Sequence, residues 1–450
     1  MPRTYFGTDG VRGPYGGPVV NEAFFRRLGE AVARWTASRG GAPGRIVVGR
    51  DTRASGESLS RAFAAGFTGG GGRAVLLGVI PTPAISCAAR LGGASLGAAV
   101  TASHNPAADN GIKFFGPDGA KLSDADEAAI EALLAADSGR PAGKAGLVEE
   151  APEGSATASY VEAALGMLPA GSLSGWRVAL DTANGAAVAT SPQVFRALGA
   201  EVSCTGDRPD GRNINLGVGS EHPKALSELV LSSGARLGVA HDGDGDRCVL
   251  CDERGGILDG DELLTILAVH ALASGSLANR TLVVTVQSNL GVDRAVEAAG
   301  GRVVRTSIGD RYVAEAMRSE GAKLGGESSG HIVNFAVGPT GDGLAAALMA
   351  ARVMLDTGRP LSELRKALVR FPQISESLRV REKRPIPELA GLTAAIRQLE
   401  GELGQKGRVL VRYSGTEPKL RFLIEGPAEE LVARGMEKLL AAARAELDVP

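Results

Sequence analysis

Three times along this chain of 450 residues, a short apolar run with a polar exit is followed by a helical stretch, further apolar runs and a glycine-rich polar loop. Short apolar strands alternating with helices form α/β units whose strands pair mostly in parallel, so this recurrence limits the possible folds more than any other feature. The first unit opens with Arg45 to Asp51, has a helical segment near Ser58 to Phe67 and a strand Ala74 to Val79, and ends where Leu96 to Val100 enters Thr101-Ala102-Ser103-His104-Asn105-Pro106. In the second, Trp176 to Leu180 exits at Asp181, and Leu237 to Ala240 enters His241-Asp242-Gly243-Asp244-Gly245-Asp246-Arg247. In the third, Leu282 to Val286 exits at Gln287-Ser288-Asn289, and Ala322 to Leu324 enters Gly325-Gly326-Glu327-Ser328-Ser329-Gly330-His331. Ligands of such sheets collect beyond the carboxyl ends of the strands, so the three loops are predicted to face one cleft.

The C-terminal segment reads differently. Arg408 to Arg412 and Leu420 to Ile424 read as strands joined by a polar turn, and an amphipathic helix is predicted from about Ala428 to Leu447. This pattern predicts a separate α+β domain. Boundaries are placed at 1–150, 151–254, 255–370 and 371–450, with Pro141 to Ala156 as the first linker and Arg379 to Pro387 near the last boundary.

A net charge of −2 gives no global field for nucleic acid or a membrane surface, so an anionic substrate must be met by local basic groups. The start, Met1 to Gly7, lacks the apolar run of a secretory signal, which predicts a cytoplasmic protein. The longest apolar stretches, Ala74 to Ala89 and Leu263 to Ala273, are shorter than the ~18 residues a membrane span needs. Four scattered cysteines, Cys87, Cys204, Cys248 and Cys251, fit reduced thiols better than a disulfide framework. Cys248 and Cys251 lie in a strand-like run where a three-residue offset turns them to opposite faces, so core packing is expected there rather than a redox or zinc role.

Asp242, Asp244 and Asp246 stand two residues apart with glycines between, so the backbone can bend three hard oxygen ligands around one cation. An EF-hand with Glu253 at its twelfth position fails, because Arg247 takes the place of the turn glycine and the flanks read as strands. A solvated acidic turn is the remaining alternative to metal, and magnesium is preferred because few carboxylates leave room for water and phosphate oxygens. Ser103, in a turn-forming sequence that would hold its hydroxyl at an exposed loop tip, is a weak signal by itself. No G-x-S-x-G elbow surrounds it. With Lys113 on the strand-like Ile112 to Phe115 and the aspartate loop, it completes the set of metal, basic group and hydroxyl that phosphoryl transfer uses.

Arg412-Tyr413-Ser414-Gly415-Thr416-Glu417-Pro418, followed by Arg421, offers two guanidinium forks, hydroxyls and glycine-exposed N–H groups suited to a phosphate, unless it is an ordinary turn with surface arginines. Glu327, Ser329 and His331 suit sugar hydroxyls or an amine, against the alternative of a plain turn. Gly7 to Gly13 likewise joins a turn to a basic side chain, Arg12.

Together and in this order, these loops resemble the α-D-phosphohexomutase family across essentially the whole chain. The resemblance implies four domains around a central cleft, three of related α/β topology with mixed sheets and a distinct C-terminal α+β domain. It makes Ser103 the phosphoryl carrier, Asp242 to Arg247 the metal loop, Gly326 to His331 the sugar loop and Arg412 to Pro418 the phosphate loop. Within the family, Tyr5 to Gly13, Gly245, and Thr306 to Tyr312 with Gly309-Asp310-Arg311 look most like the phosphoglucosamine mutases, with Ser328 compatible. Tyr413 stands where that group commonly has proline.

The resemblance further implies a two-step transfer between glucosamine 6-phosphate and glucosamine 1-phosphate, through a bisphosphorylated sugar that also serves as activator. The product would feed UDP-N-acetylglucosamine and cell-wall synthesis. One Mg²⁺ per chain would be held by Asp242, Asp244, Asp246 and an oxygen of phosphorylated Ser103. Arg12, His104, Lys113 and Arg247 would neutralise the moving group, with Lys113 or His104 as general acid or base. Arg412, Ser414, Gly415, Thr416 and Arg421 would hold the other phosphate. The competing expectations are a phosphomannomutase/phosphoglucomutase, a metal-dependent phosphatase and a non-catalytic sugar-phosphate sensor. A sugar phosphate is the expected partner, without nucleic acid or membrane, and a homodimer is the assembly left open.

Overall fold

Strands Leu96–Val100, Leu237–His241 and Thr281–Thr285 are buried at every position, as expected of parallel strands covered on both faces. The computed structural model describes residues 4–40, 44–136, 146–152, 154–414 and 418–449. These fall into two units, Met1–Gln287 with Ala299–Ala367 and Ser288–Ala298 with Leu368–Pro450.

The first unit holds three sheets that repeat one order. In the first, Arg45–Arg50 lies between Arg73–Val79 and Leu96–Val100 in parallel, and Asp109–Phe115 returns antiparallel to Leu96–Val100. The second places Arg177–Asp181 between Glu201–Thr205 and Leu237–His241 in parallel, with Cys248–Cys251 returning antiparallel. The third places Thr281–Thr285 between Arg302–Thr306 and Leu324–Gly326 in parallel, with Ile332–Asn334 returning antiparallel. The sheets are therefore mixed, as the family resemblance implies. In each, the polar loop singled out in the sequence joins the last parallel strand to its antiparallel partner.

Two expectations are corrected at their edges. Part of the first linker is a strand: Val148–Glu150 extends the first sheet in parallel beside Arg73–Val79, while residues 141–145 and 153 lie outside the described residues. Gly325 and Gly326 belong to a strand rather than to the loop, because their backbones pair with both Thr281–Thr285 and Ile332–Asn334.

Beneath the first sheet, helices Glu22–Gly40 and Gly56–Gly69 bury Phe25, Leu28, Phe63 and Phe67 in one apolar cluster. Each such side chain contributes roughly 1.5–3 kcal/mol on leaving water. The apolar run Leu263 to Ala273 lies in helix Gly260–Ala273, which starts at a capping box between Asp259 and Glu262. Among the described residues no helix is long and apolar enough to cross a membrane. All four cysteines are free, and burial pushes the Cys251 thiol up to about 12, which fits core packing rather than redox chemistry.

The second unit has an antiparallel sheet in the order Gln373–Arg379, Lys419–Glu425, Arg408–Tyr413. Helices Ala390–Leu403 and Glu429–Glu446 share its apolar core, which includes Leu399, Phe422, Ile424 and Leu439. Helix Leu290–Ala298 belongs to this unit, where the Leu290 N–H donates to Glu425 Oε1 at 3.1 Å. Strand Gln373–Arg379 leads directly into the charged stretch from Arg379 to Pro387.

Candidate active site

The aspartate loop bends where glycine allows it. Gly245 has φ +74°, and its N–H donates to Asp242 O at 3.1 Å, closing the turn that gathers the three carboxylates. One ligand oxygen from each of Asp242, Asp244 and Asp246 lies within 4.8 Å of the others. Among the described residues, Asp244 Oδ1 and Asp246 Oδ1 are buried with no hydrogen-bond partner. Buried carboxylate oxygens without a partner are costly, and a hard cation that takes oxygen ligands would satisfy them, so the site fits a metal ion. Burial and the charges of Asp244 and Asp246 hold the Asp242 carboxyl well above its usual range. Asp244 is also buried, but Lys113 and the hydroxyl of Thr82, 2.6 Å away, keep it below that range. Glu253 hydrogen-bonds Ser362 instead of approaching the loop, and strands flank the loop, as expected if it is no EF-hand.

Ser103, in the loop of the first sheet, is fully buried, whereas the sequence placed it at an exposed tip. The difference arises because the neighbouring domain's loop closes over it: the Ser103 hydroxyl donates to Asp242 Oδ2 at 2.5 Å and lies 3.3 Å from His104 Nδ1. Its φ of +50° falls in the left-handed region, a cost of about 1–3 kcal/mol for a residue other than glycine. Burial, then the Arg247 and Arg12 charges, push His104 down to about 4.

Of the basic groups, Lys113 meets the same carboxylates. Lys113 Nζ is 2.6 Å from Asp246 and 2.8 Å from Asp244. Burial opposes its charge, but Asp244, Asp246 and Asp9 outweigh burial and raise its pKa well above the ordinary value. Arg12 pairs with Asp9, and the Arg247 N–H donates to Asp242 Oδ1 at 3.2 Å. In the third loop, Glu327 Oε1 accepts the Gly309 N–H at 2.9 Å, and His331 Nε2 lies 3.0 Å from Asp310 Oδ2. Ser329 is exposed. Gly330 brings this loop against the aspartate hairpin, where the Cys248 N–H donates to Gly330 O at 3.1 Å and a Cβ on Gly330 would lie 2.1 Å from Cys248 O.

In the second unit, Arg412 and Arg421 are direct partners on adjacent antiparallel strands. Like charges opposed in this way repel, and burial and Arg421 depress the Arg412 pKa, a pairing that suits an anion. The Ser414 N–H donates to Lys419 O at 2.8 Å, which closes the turn. Gly415 and Thr416 lie outside the described residues.

Several residues to which the sequence assigned no role in the site support these loops. Lys121 lies 2.5 Å from Asp9 and 2.6 Å from Asp310, joining the first and third domains. Arg311 bonds Glu127 at 2.9 Å and pairs with Asp124, so the Gly309 to Tyr312 segment serves as a tie between the same domains. Glu131 accepts the Thr4, Tyr5 and Phe6 N–H groups at 2.6–2.7 Å and fixes the segment that leads to Asp9 and Arg12. Thr82 supports the aspartate loop, and Arg53 and Asn215 bond the backbone of the serine loop. The available signal was position: Asp51-Thr52-Arg53 follows strand Arg45–Arg50 at its carboxyl end.

The sequence profiles of phosphoglucomutase/phosphomannomutase α/β/α domains I, II and III match residues 3–140, 158–256 and 259–371, and that of the C-terminal domain matches 377–442. A phosphoglucosamine mutase of Moorella thermoacetica is 47% identical over 432 residues, covering 94% of this chain and 96% of its own. Those of Cereibacter sphaeroides and Sorangium cellulosum are 44% and 43% identical, covering 99% of this chain and 99% and 94% of their own. Among solved structures, a phosphoglucomutase/phosphomannomutase family protein from Burkholderia thailandensis superposes with a TM-score of 0.79 at 24% identity over 98% of both chains. Aspergillus fumigatus N-acetylphosphoglucosamine mutase, in complex with GlcNAc-6P and magnesium, gives 0.64 at 18% identity over 98% of this chain and 96% of its own. At these identities the structural likeness speaks for the fold alone.

Proposed function

The chain belongs to the phosphoglucomutase/phosphomannomutase family, and on that basis we propose that it interconverts glucosamine 6-phosphate and glucosamine 1-phosphate, with Ser103 as the phosphoryl carrier. One observation carries this reading of the site: the Ser103 hydroxyl lies 2.5 Å from Asp242, in a triad of buried carboxylates faced by Lys113. The choice of amino sugar rests on relatives 43–47% identical over nearly the whole chain, each described as a phosphoglucosamine mutase.

Asp242, Asp244 and Asp246 would hold the cation, taken to be Mg²⁺, which when bound offsets negative charge on the oxygens of the moving phosphoryl group. In the first transfer the bond from phosphorus to the Ser103 oxygen breaks, a bond to O1 of glucosamine 6-phosphate forms, the O1 proton leaves to a base, and the freed Ser103 oxygen takes up a proton. The bisphosphorylated sugar then turns over. The Ser103 hydroxyl gives up its proton and bonds to phosphorus of the 6-phosphate, the bond from phosphorus to O6 breaks, a proton is restored to O6, and glucosamine 1-phosphate departs. His104, 3.3 Å from the Ser103 hydroxyl, and Lys113 are the candidates to hold and return that proton, with Arg12 and Arg247 as flanking charges. Glu327, Ser329 and His331 would meet the sugar's hydroxyls and amine. Arg412, Ser414 and Arg421 would grip the phosphate that is not reacting.

We infer that the protein works in the cytoplasm, where its product would be a precursor of UDP-N-acetylglucosamine. A comparison of kcat/KM for glucosamine, glucose and mannose phosphates tests the specificity. A preference for glucosamine phosphate is expected, and a preference for either hexose would make the protein a phosphoglucomutase or phosphomannomutase instead. Release of inorganic phosphate without an isomer would indicate a phosphatase.

A further inference from the structure

Arg53 is 1% exposed and is the largest fully buried side chain among the described residues. Its five N–H donors all have acceptors. Nε donates to Asp51 Oδ2 at 2.9 Å, and the Asp51 carboxylate also accepts the Thr101 hydroxyl at 2.7 Å. Nη1 donates to the carbonyls of Asp109, at 2.8 Å, and Pro106. Nη2 donates to the carbonyls of Ser103, at 3.0 Å, and Asn105, at 2.7 Å. Three carbonyls of the serine loop and that of Asp109, which opens the following strand, thus converge on one planar fork, a geometry that a flexible ammonium cannot reproduce.

A second donor set comes from the neighbouring domain. Asn215 Nδ2 donates to the Ser103 carbonyl at 2.9 Å and to the Asn105 carbonyl at 3.1 Å. The Ser103 peptide is therefore held from two sides at the residue whose φ is +50°. A buried ion pair is by itself weak evidence for stability, because apolar residues of similar volume often replace one at no loss. What a buried guanidinium supplies here is a defined conformation for the loop that it grips.

The geometry points to Arg53 and Asn215 as positioning residues that clamp the serine loop and aim the Ser103 oxygen at Asp242. Neither touches the reacting atoms. They hold the Ser103 backbone in its left-handed conformation, and the Asn215 half of the clamp is in place only where the second domain meets the first. The inference rests on Ser103 being the phosphoryl carrier.

The test uses full-length Arg53→Lys and Asn215→Ala. Misplacing a reacting group by about 1 Å costs on the order of 10²-fold in rate, so kcat should fall about 100-fold in Arg53→Lys and about 10-fold in Asn215→Ala. KM for the sugar phosphate should stay within about 2-fold, since the clamp does not touch the sugar. Intact mass should also show phosphoserine lost to water faster than in the parent, water replacing the serine oxygen on phosphorus and leaving the free hydroxyl and inorganic phosphate. Either variant, folded by its thermal midpoint and retaining the parent's kcat and phosphoserine lifetime, overturns the proposal. A fall in kcat that only tracks the folded fraction overturns it too. Should Arg53→Lys not fold, Asn215→Ala decides alone, because it leaves the Asp51 pair untouched. Failure of the carrier assignment reads differently: the parent itself would hold no phosphate and Ser103→Ala would stay active.

Discussion

The serine loop and the aspartate loop occupy the same place in two copies of one sheet plan, between the last parallel strand and its antiparallel return, yet they obtain their shapes differently. The aspartate loop carries its own turn: Gly245 supplies the positive φ, and the Asp242 carbonyl closes the bend locally. The serine loop holds a residue other than glycine at positive φ, and what keeps it there comes from Arg53 and Asn215, about 50 and 110 residues away. A loop that folds on its own terms can be read from its sequence. A loop held by distant donors cannot.

The largest expected effect lies on the serine side. Ser103→Ala should reduce mutase turnover by at least about 10⁴-fold while sugar-phosphate binding, followed calorimetrically, stays within a few-fold; turnover near the parent's would break the contrast by making the clamped residue dispensable. Next comes Asp244→Asn, which keeps the shape and removes a charge. Turnover should drop by more than ~100-fold and should no longer respond to added magnesium after chelation, given that groups one step removed from a metal are already worth 10–100-fold. Unchanged magnesium dependence would show that the triad is not the metal site.

Gly330→Ala tests the contact that seats the third loop on the aspartate hairpin. A Cβ there would lie 2.1 Å from the Cys248 carbonyl, on a residue whose φ is +89°. A loss of about 3 kcal/mol in unfolding free energy and a raised KM are expected, whereas an unchanged thermal midpoint would mean that the loop packs otherwise.

The smallest effect concerns the support behind the aspartate loop. Asp342 caps helix Gly343–Thr357, and the Gly343 N–H donates to Gly245 O at 3.1 Å. Burial pushes the Asp342 carboxyl up to about 6. An acid whose folded pKa is raised holds its proton more tightly folded than unfolded. Its contribution is therefore fully present below the ordinary value of about 4, declines as pH rises towards 6, and stays lost above that. Asp342→Asn, still able to cap, should flatten the stability profile between those values by about 2 kcal/mol, measured by denaturant unfolding across pH. An unaltered profile would exclude Asp342 as its source.

The same physical distinction explains what the sequence disclosed. The strand exits, the three polar loops, the aspartate triad and the C-terminal strand pair with its long helix were legible because each is encoded locally, by apolar runs, glycines and closely spaced carboxylates. The burial of Ser103 was not, since the covering group is Asp242 of another domain. Nor was the strand Val148–Glu150, whose three residues carry no apolar alternation and pair only because the edge of Arg73–Val79 is open to them. Arg53, Asn215 and Lys121 look like ordinary polar residues in sequence. Their roles follow from which backbone and carboxylate groups the fold brings to them.

The assignment of Ser103 as carrier is tested most directly by peptide-resolved mass spectrometry of the full-length protein sampled during turnover. The expected result is a single phosphoryl group on the peptide that contains Ser103, exchanging with added bisphosphorylated sugar and absent from Ser103→Ala. An actively isomerising enzyme whose Ser103 peptide is never phosphorylated would contradict it.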